Sequence, residues 1–254
     1  MPSEVAVDMK TVSETNQIIF VHGGGLEVTE IAQKLGKEQR FIVSPDGFRS
    51  RYTDRDTVDI YTMVMVGKLN KQVVAALQSR GLRAVGLCGL DGKLMRAERK
   101  KRLVVVNERG RRMAVDGGYT GRIEEINTDL LRLLMEAGYL PVVSPVAMSE
   151  EYEPLNVDGD RTATSIAGAL KADVLLFLTD VEGLVMEGKM VQRLRPAEAK
   201  EILPEIGPGM ITKIHAAIEA LERGVREVII CSGVGSTPLS SALNHDVGTA
   251  IGNE

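Results

Sequence analysis

The sequence predicts an α/β fold in which βαβ units surround a parallel sheet. Three observations carry this prediction. Short apolar runs alternate with longer amphipathic segments along the whole chain. The runs are apolar nearly throughout and rich in β-branched residues, as in strands covered by helices on both faces. Several amphipathic segments close on a glycine, the common helix stop.

The elements follow in order. The apolar run Gln17–Val21 opens through His22 and three glycines into a helix-like segment, Val28–Leu35. A long helical pattern, Thr57–Gly81, precedes the strand-like "RAVGLCG". Residues Lys93–Ile126 break the rhythm and read as antiparallel hairpin structure, with "RLVVV" and "RRMAV" flanking a turn-like "NERG". The helical "TDLLRLLMEAG" stops at Gly138 and leads into the run "LPVVSPVA". The helical "DRTATSIAGALKA" leads into "DVLLFLTD", and "ITKIHAAIEALERG" into "EVIICSG". Between these last pairs, "VEGLVMEGKMVQRL" predicts a small hairpin turning at Gly188. The lobe boundary is expected near Lys171, giving lobes 1–170 and 171–254.

Composition narrows the function. A chain of 254 residues with 44% hydrophobic and 26% charged residues is an ordinary globular protein. A net charge of -4 argues against binding nucleic acid over the whole surface. Cys88 and Cys231 are the only cysteines, which gives neither a disulfide framework nor a metal cluster. No apolar run reaches membrane-spanning length, and the first residues lack the apolar core of a signal peptide. The expectation is a soluble, cytoplasmic protein that binds neither nucleic acid nor membrane.

Several short motifs could carry chemistry. A strand that opens through glycines into a helix can bind an anion, because backbone N–H groups lie bare and the helix N-terminus adds favourable potential. The same glycines could simply make a tight turn. "HGGG" is followed by neither Gly-Lys-Ser/Thr nor the dinucleotide fingerprint. An esterase oxyanion loop would need a G-x-S-x-G elbow, which this sequence lacks. In "SPDGFRSRYTD", Pro45, Asp46 and Gly47 predict a turn, and Arg49 and Arg51 at i and i+2 share one strand face, suited to gripping a carboxylate. Asn156, Asp158 and Asp160 precede a helix; Asp160 is a candidate N-cap, and the loop could instead position substrate. A calcium loop is excluded by Ala167 at the twelfth position. Thr179 and Asp180 end a strand where open parallel sheets bind ligands. Lys213 stands early in a helix after Gly-Pro-Gly, against the helix dipole, a placement that suits phosphate. His22 and His215 show no partner at useful spacing and read as structural. Residues 93–112 hold nine Lys or Arg and two acids, an excess of seven positive charges in an acidic chain.

Together "VHGGG", "GFRSRYT", "GLCGLDG", "AERKK", "GGYTG", "PLNVDGD", "LTDVEGL" and "IGPGMITK" resemble, in order, the amino acid kinase family, most closely its acetylglutamate kinase branch. "RSRYTDRDT" and "GLDGKLMRAERKKR" look like the archaeal LysZ-type kinases. Those enzymes phosphorylate the side-chain carboxylate of 2-aminoadipate or glutamate carried on the small acidic protein LysW, in lysine or arginine biosynthesis. The resemblance implies a three-layer αβα sandwich with a mostly parallel central sheet. An N-terminal lobe would hold the acyl substrate and a C-terminal lobe would hold ATP, with Mg²⁺ kept mainly by the nucleotide phosphates rather than by protein ligands. Carried over by motif, Gly24, Gly25, Arg51 and Asn156 bind substrate. Asp160 organises catalytic lysines, Lys213 offsets phosphate charge, and Thr179, Asp180 and Gly183 lie by the nucleotide. Lys100, Lys101 and Arg102 are expected to dock the carrier, the alternative being a solvated edge hairpin protected by its charge. A homodimer or larger assembly is expected.

One departure stands out. The family places a Lys-x-Gly-Gly strand before the "HGGG" strand, whereas here "MPSEVAVDMKTVSETNQ" precedes "IIFV" and reads as a connecting helix. Lys10 has no glycines after it and receives no catalytic role. Weak or no activity is therefore expected of the chain as written. A plain acetylglutamate kinase and a catalytically weak sensor of the same fold stay open as alternatives. RNA binding is disfavoured because aromatic residues do not interleave the basic ones.

Overall fold

The computed structural model describes residues 1–253 apart from 46, 48, 107–109 and 208. Helix α1 (Ser3–Val12) comes first, then strand β1 (Phe20–Val21), α2 (Gly25–Lys34) and the strands β2 (Phe41–Val43) and β3 (Arg49–Arg51). Helix α3 (Arg55–Thr62) continues through a π-helical segment, Met63–Leu69, into α4 (Asn70–Gln78). Strands β4 (Ala84–Leu87), β5 (Met95–Arg99), β6 (Arg102–Val106), β7 (Arg112–Asp116) and β8 (Gly121–Ile126) precede α5 (Thr128–Glu136). Strands β9 (Leu140–Val143), β10 (Val146–Met148) and β11 (Pro154–Asn156) lead to α6 (Gly159–Leu170) and β12 (Val174–Thr179). The short strands β13 (Val185–Met186), β14 (Lys189–Met190) and β15 (Arg193–Leu194) are followed by α7 (Pro196–Glu201) and α8 (Met210–Glu222). Strand β16 (Glu227–Ser232), α9 (Pro238–Leu243) and β17 (Thr249–Gly252) complete the order.

Two compact units form. One comprises Met1–Ile18, Ala76–Arg83 and Ala163–Glu254; the other comprises Ile19–Ala75 and Ala84–Thr162. The first is built on the sheet β12-β16-β17-β15. Strands β12 and β16 pair in parallel from Val174↔Glu227 to Thr179↔Ser232, while β17 runs antiparallel to β16. Side chains alternate across a strand with period two. Leu175, Phe177, Val228 and Ile230 thus enter one core with Ile214 and Ala217 of α8. Leu176, Leu178, Ile229 and Cys231 enter the other with Ala242 of α9. Helices cover both faces, which explains why these strands are apolar throughout. Helix α1, expected as a connecting helix, packs on α9.

The second unit holds a wholly parallel sheet, β1-β9-β4, and a mixed sheet, β11-β10-β5-β8. The predicted basic hairpin forms, with β6 and β7 paired from Arg102↔Asp116 to Val106↔Arg112. Asn107–Arg109 of its "NERG" turn lie outside the described residues, as does Asp46 of the turn before β3. The hairpin at Gly188 also forms, with that glycine at φ 74°.

Three expectations need correction. The run Leu140–Ala147 is not one strand: β9 and β10 belong to different sheets, divided at Ser144–Pro145. Proline has no N–H for the ladder, so pairing breaks there. Only Phe20 and Val21 of the first apolar run are strand, and the helix after the glycines begins at Gly25 rather than Val28. The long helix after Thr57 is not uniformly α, since seven residues carry i→i+5 bonding.

Candidate functional site

The glycine turn leaves β1 with the His22 N–H bonded to the Val143 carbonyl at 3.2 Å. Gly24 caps α2 with φ 156°. A Cβ there would stand 2.2 Å from Leu69 Cδ1 and 2.9 Å from Met65 Sδ, so the π-helical segment packs where only glycine fits. Among the described residues none accepts the N–H of Gly23 or Gly24. The turn therefore offers bare donors beside the start of a helix.

Arg51, Gly25 and Asn156 belong to one hydrogen-bonded chain. Arg51 Nη2 donates to the Gly25 carbonyl at 2.7 Å and to Thr29 Oγ1 at 2.9 Å, while Nη1 donates to Gln39 Oε1. The guanidiniums of Arg49 and Arg51 both lie over the Phe41 ring, at 4.1 and 5.0 Å, so the expected shared face is present. Burial lowers the Arg51 pKa, and Arg49 lowers it further; a guanidinium stays charged regardless. Thr53 Oγ1 donates to the Arg51 carbonyl at 3.2 Å and receives Asn156 Nδ2 at 2.9 Å. Lys37 and Gln39, neither singled out from sequence, support this arm: Lys37 pairs with Asp54, which caps α3.

Asp160 lies in the first turn of α6, but it is not the cap. Asp158 Oδ1 accepts the Arg161 N–H at 3.0 Å, and the Asp158 carbonyl accepts Thr162 N and Oγ1. The helix starts one residue before Asp160, which leaves the capping position to Asp158.

In the other unit, Thr179 ends β12, and its Oγ1 donates to Asp180 Oδ1 at 3.0 Å. Gly183 packs against Thr249: a Cβ would lie 2.8 Å from its Oγ1, which accepts the Leu184 N–H and donates to the Val191 carbonyl. Gly209, with φ 88°, stands at the N-cap of α8, and the first turn of the helix carries no acid. Lys213 Nζ lies 5.3 Å from the Phe177 ring. Phe177 and Thr179 share one strand face, so α8 brings Lys213 alongside the C-terminal half of β12.

The basic residues adjoin Asn156, which the structure places at the end of β11 rather than in a loop. The Lys100 N–H donates to the Thr120 carbonyl at 2.9 Å, and the Asn156 N–H donates to the adjacent Tyr119 carbonyl at 2.8 Å. Burial, then the Arg161 and Arg122 guanidiniums, lower the Lys100 pKa, against which Asp158 acts. Arg96 pairs with Glu125, and Arg99 lies 3.8 Å from Glu153. Lys101 and Arg102 line a shallow cleft with Ala114, Val115 and Asp116.

His22 has partners that no local spacing could show. Its Nε2 lies 3.0 Å from Ser144 Oγ and 3.3 Å from Asn70 Nδ2, and its Nδ1 lies 2.9 Å from the Gly23 carbonyl. Asn70 and Ser144 stand 48 and 122 residues away, and a buried, hydrogen-bonded ring fits the structural role expected of His22. Among the described residues no group of three or more His, Cys, Asp or Glu converges as a metal cage, and no helix is long and apolar enough to cross a membrane.

Known proteins resemble this chain in sequence and in fold. A protein of Cenarchaeum symbiosum, provisionally named LysW-aminoadipate/LysW-glutamate kinase, is 57% identical over 236 residues, 93% of this chain and 89% of its own length. The LysW-aminoadipate/LysW-glutamate kinase of Saccharolobus islandicus is 46% identical over 251 residues, 98% of this chain and 94% of its own. Among solved structures, N-acetylglutamate synthase from Neisseria gonorrhoeae, complexed with coenzyme A and N-acetyl-glutamate, superposes with TM-score 0.81 at 23% identity, over 99% of this chain and 56% of that one. Carbamate kinase from Giardia lamblia bound to AMP-PNP gives 0.71 at 16% identity, over 99% and 90%. Residues 3–232 match the amino acid kinase family. With its α/β fold, ordered motifs and close relatives in agreement, this chain belongs to the amino acid kinase family.

Proposed function

We propose that this chain transfers the γ-phosphoryl group of ATP to the side-chain carboxylate of 2-aminoadipate or glutamate whose amino group is held by the acidic carrier LysW, in lysine or arginine biosynthesis. Relatives at 57% and 46% identity bear that name over nearly the whole chain. The observation that carries the reading to this chain is local: the basic stretch Lys100–Arg102 joins Asn156 through the adjacent carbonyls of Tyr119 and Thr120. A free acetylated amino acid needs no positive surface beside its pocket, whereas a substrate tethered to an acidic protein does.

The chemistry follows from charge. A carboxylate oxygen is already nucleophilic and needs no general base. The obstacle is repulsion between one anion and a polyphosphate, so positioning and positive charge supply the catalysis. On this reading the unit with the glycine turn serves as acyl lobe. Arg51 and Asn156 grip the substrate, and the Gly24 and Gly25 amides meet the reacting oxygens. The unit with α8 serves as nucleotide lobe. The acid-free first turn of α8, with Lys213 behind the Gly209 cap, fits a polyphosphate, and Thr179, Asp180 and Gly183 line the nucleotide. Asp160 orients the lysines. When bound, Mg²⁺ on the nucleotide phosphates supplies further charge neutralisation.

The test offers ATP with two acceptors, carrier-linked glutamate or aminoadipate and free N-acetylglutamate, and traps the acyl phosphate with hydroxylamine. Hydroxamate formed from the carrier-linked acceptor in preference to the free one, at the weak rate expected of the chain as written, is the expected result. Preference for the free acceptor would make the chain a plain acetylglutamate kinase, and ATP binding without either product would make it a sensor.

A further inference from the structure

Behind the glycine turn lies a buried polar cluster that the mechanism above leaves unused. His22 is 5% exposed, and Asn70 and Ser144 are fully buried. The Gly23 carbonyl can only accept, so the proton of the neutral ring sits on Nδ1, 2.9 Å away. Nε2 then accepts, facing Asn70 Nδ2 and Ser144 Oγ. Asn70 is itself fixed: Nδ2 donates to the Val142 carbonyl at 2.9 Å, and Oδ1 receives Lys71 Nζ at 3.0 Å. Strand β4 makes room for this carboxamide with Gly86, where a Cβ would stand 1.9 Å from Asn70 Oδ1. The single Ser144 hydroxyl proton is contested, because the Met65 carbonyl in the π-helical segment accepts it at 3.3 Å; Asn70 Nδ2, with a second proton free of Val142, is the steadier donor to Nε2.

In a trans peptide the carbonyl and the following N–H point in opposite directions. A ring that draws the Gly23 carbonyl toward itself therefore turns the Gly24 N–H away, into the turn where no described residue accepts it. We infer that His22 is a positioning residue: its Nδ1–H holds the Gly23 carbonyl and so aims the Gly24 N–H at the reacting anion, with Asn70 and Ser144 holding the ring. The inference rests on the proposed reading of the glycine turn as the phosphoryl-transfer site.

The two ring nitrogens can be replaced separately. Asparagine places a donor near the position of Nδ1, and glutamine places its amide near Nε2. The experiment compares His22→Asn, His22→Gln and Ser144→Ala in the full chain. It reads kcat and KM for ATP with carrier-linked acceptor, and the Gly24 amide resonance. Removing an oxyanion donor costs on the order of 100-fold or more in kcat, so misaiming one should cost roughly tenfold or more. His22→Gln should lose that much kcat with KM for ATP unchanged and a displaced Gly24 resonance. His22→Asn should keep kcat within about threefold and restore the resonance, as the same donor geometry requires. Ser144→Ala, a milder change that serves if the glutamine chain does not fold, should lower kcat several-fold. Equal effects of Asn and Gln, or a Ser144→Ala chain with full kcat and an unmoved Gly24 resonance, would overturn the inference. Inactive wild type would instead remove the functional reading, and the resonances alone would still decide whether His22 orients the turn.

Discussion

At the residue scale, His22 links sequence, burial and pH. Burial, the largest influence, lowers its pKa below the ordinary 6.5, and the Lys71 charge acts the same way, against the hydrogen bond to Gly23. The folded protein thus holds the ring neutral while the unfolded chain takes up a proton near pH 6.5. Between the lowered pKa and 6.5 the unfolded state binds more protons, so stability falls as pH drops through that window. We predict that the wild-type melting temperature declines below pH 6.5 more steeply than that of His22→Asn. Parallel profiles of the two proteins would show that this ring does not set the acid limb. The sequence displayed the glycines around His22, and their role as a strand-to-helix turn was legible from residue type alone. Its partners were not, because Asn70 and Ser144 stand 48 and 122 residues away and no spacing rule reaches that far. Arg51 and Asn156 were legible as motifs, but the Thr53 hydroxyl joining them is a tertiary contact.

At the scale of elements, hydrophobic period and glycine stops located most helices and strands, because both signals are local. The π-helical segment escaped, since its apolar residues continue the helical pattern and one wider turn leaves no mark in the sequence. The tie between α1 and α9 escaped for another reason. Asp8, 2% exposed, accepts the N–H groups of Leu239 at 2.6 Å and Ser240 at 2.9 Å, and the Ser240 hydroxyl as well. Thr237, at the N-cap position of α9, makes no side-chain cap of its own. The cap comes from a helix more than 200 residues earlier, and only folding brings it there. Asp8→Ala leaves buried N–H donors without an acceptor, which should destabilise the protein by about 1–3 kcal/mol. Asp8→Asn keeps one acceptor oxygen and should recover part of that loss. Urea unfolding measures both, and an unchanged midpoint for Asp8→Ala would show that the carboxylate does not hold α9.

For the molecule as a whole, charge is distributed unevenly in a way that sequence already displayed. The chain carries -4 overall and +7 between residues 93 and 112, so the remainder carries -11. Folding neutralises part of the excess, through Arg96 with Glu125 and Arg99 with Glu153. Lys101 and Arg102 remain exposed at the base of the hairpin, near the Tyr119–Thr120 segment that meets β11 at Asn156. An acidic carrier approaching this unit would be drawn to that point, and the attraction would reach only about 8 Å at physiological salt. The test is the double reversal Lys101→Glu with Arg102→Glu. Lys100 is left alone because its charge is also felt by Asp158 at the start of α6, so reversal there would mix two effects. Loss of two favourable contacts and gain of two repulsive ones should raise KM for carrier-linked substrate roughly tenfold or more at low salt. The deficit should shrink as salt is added, because screening removes steering from both proteins. KM for ATP and kcat at saturating carrier should stay as they were, since neither residue belongs to the proposed nucleotide or acyl contacts. An unchanged KM with an unchanged salt slope would leave the hairpin as a charged, protected edge, with carrier recognition placed elsewhere on the chain.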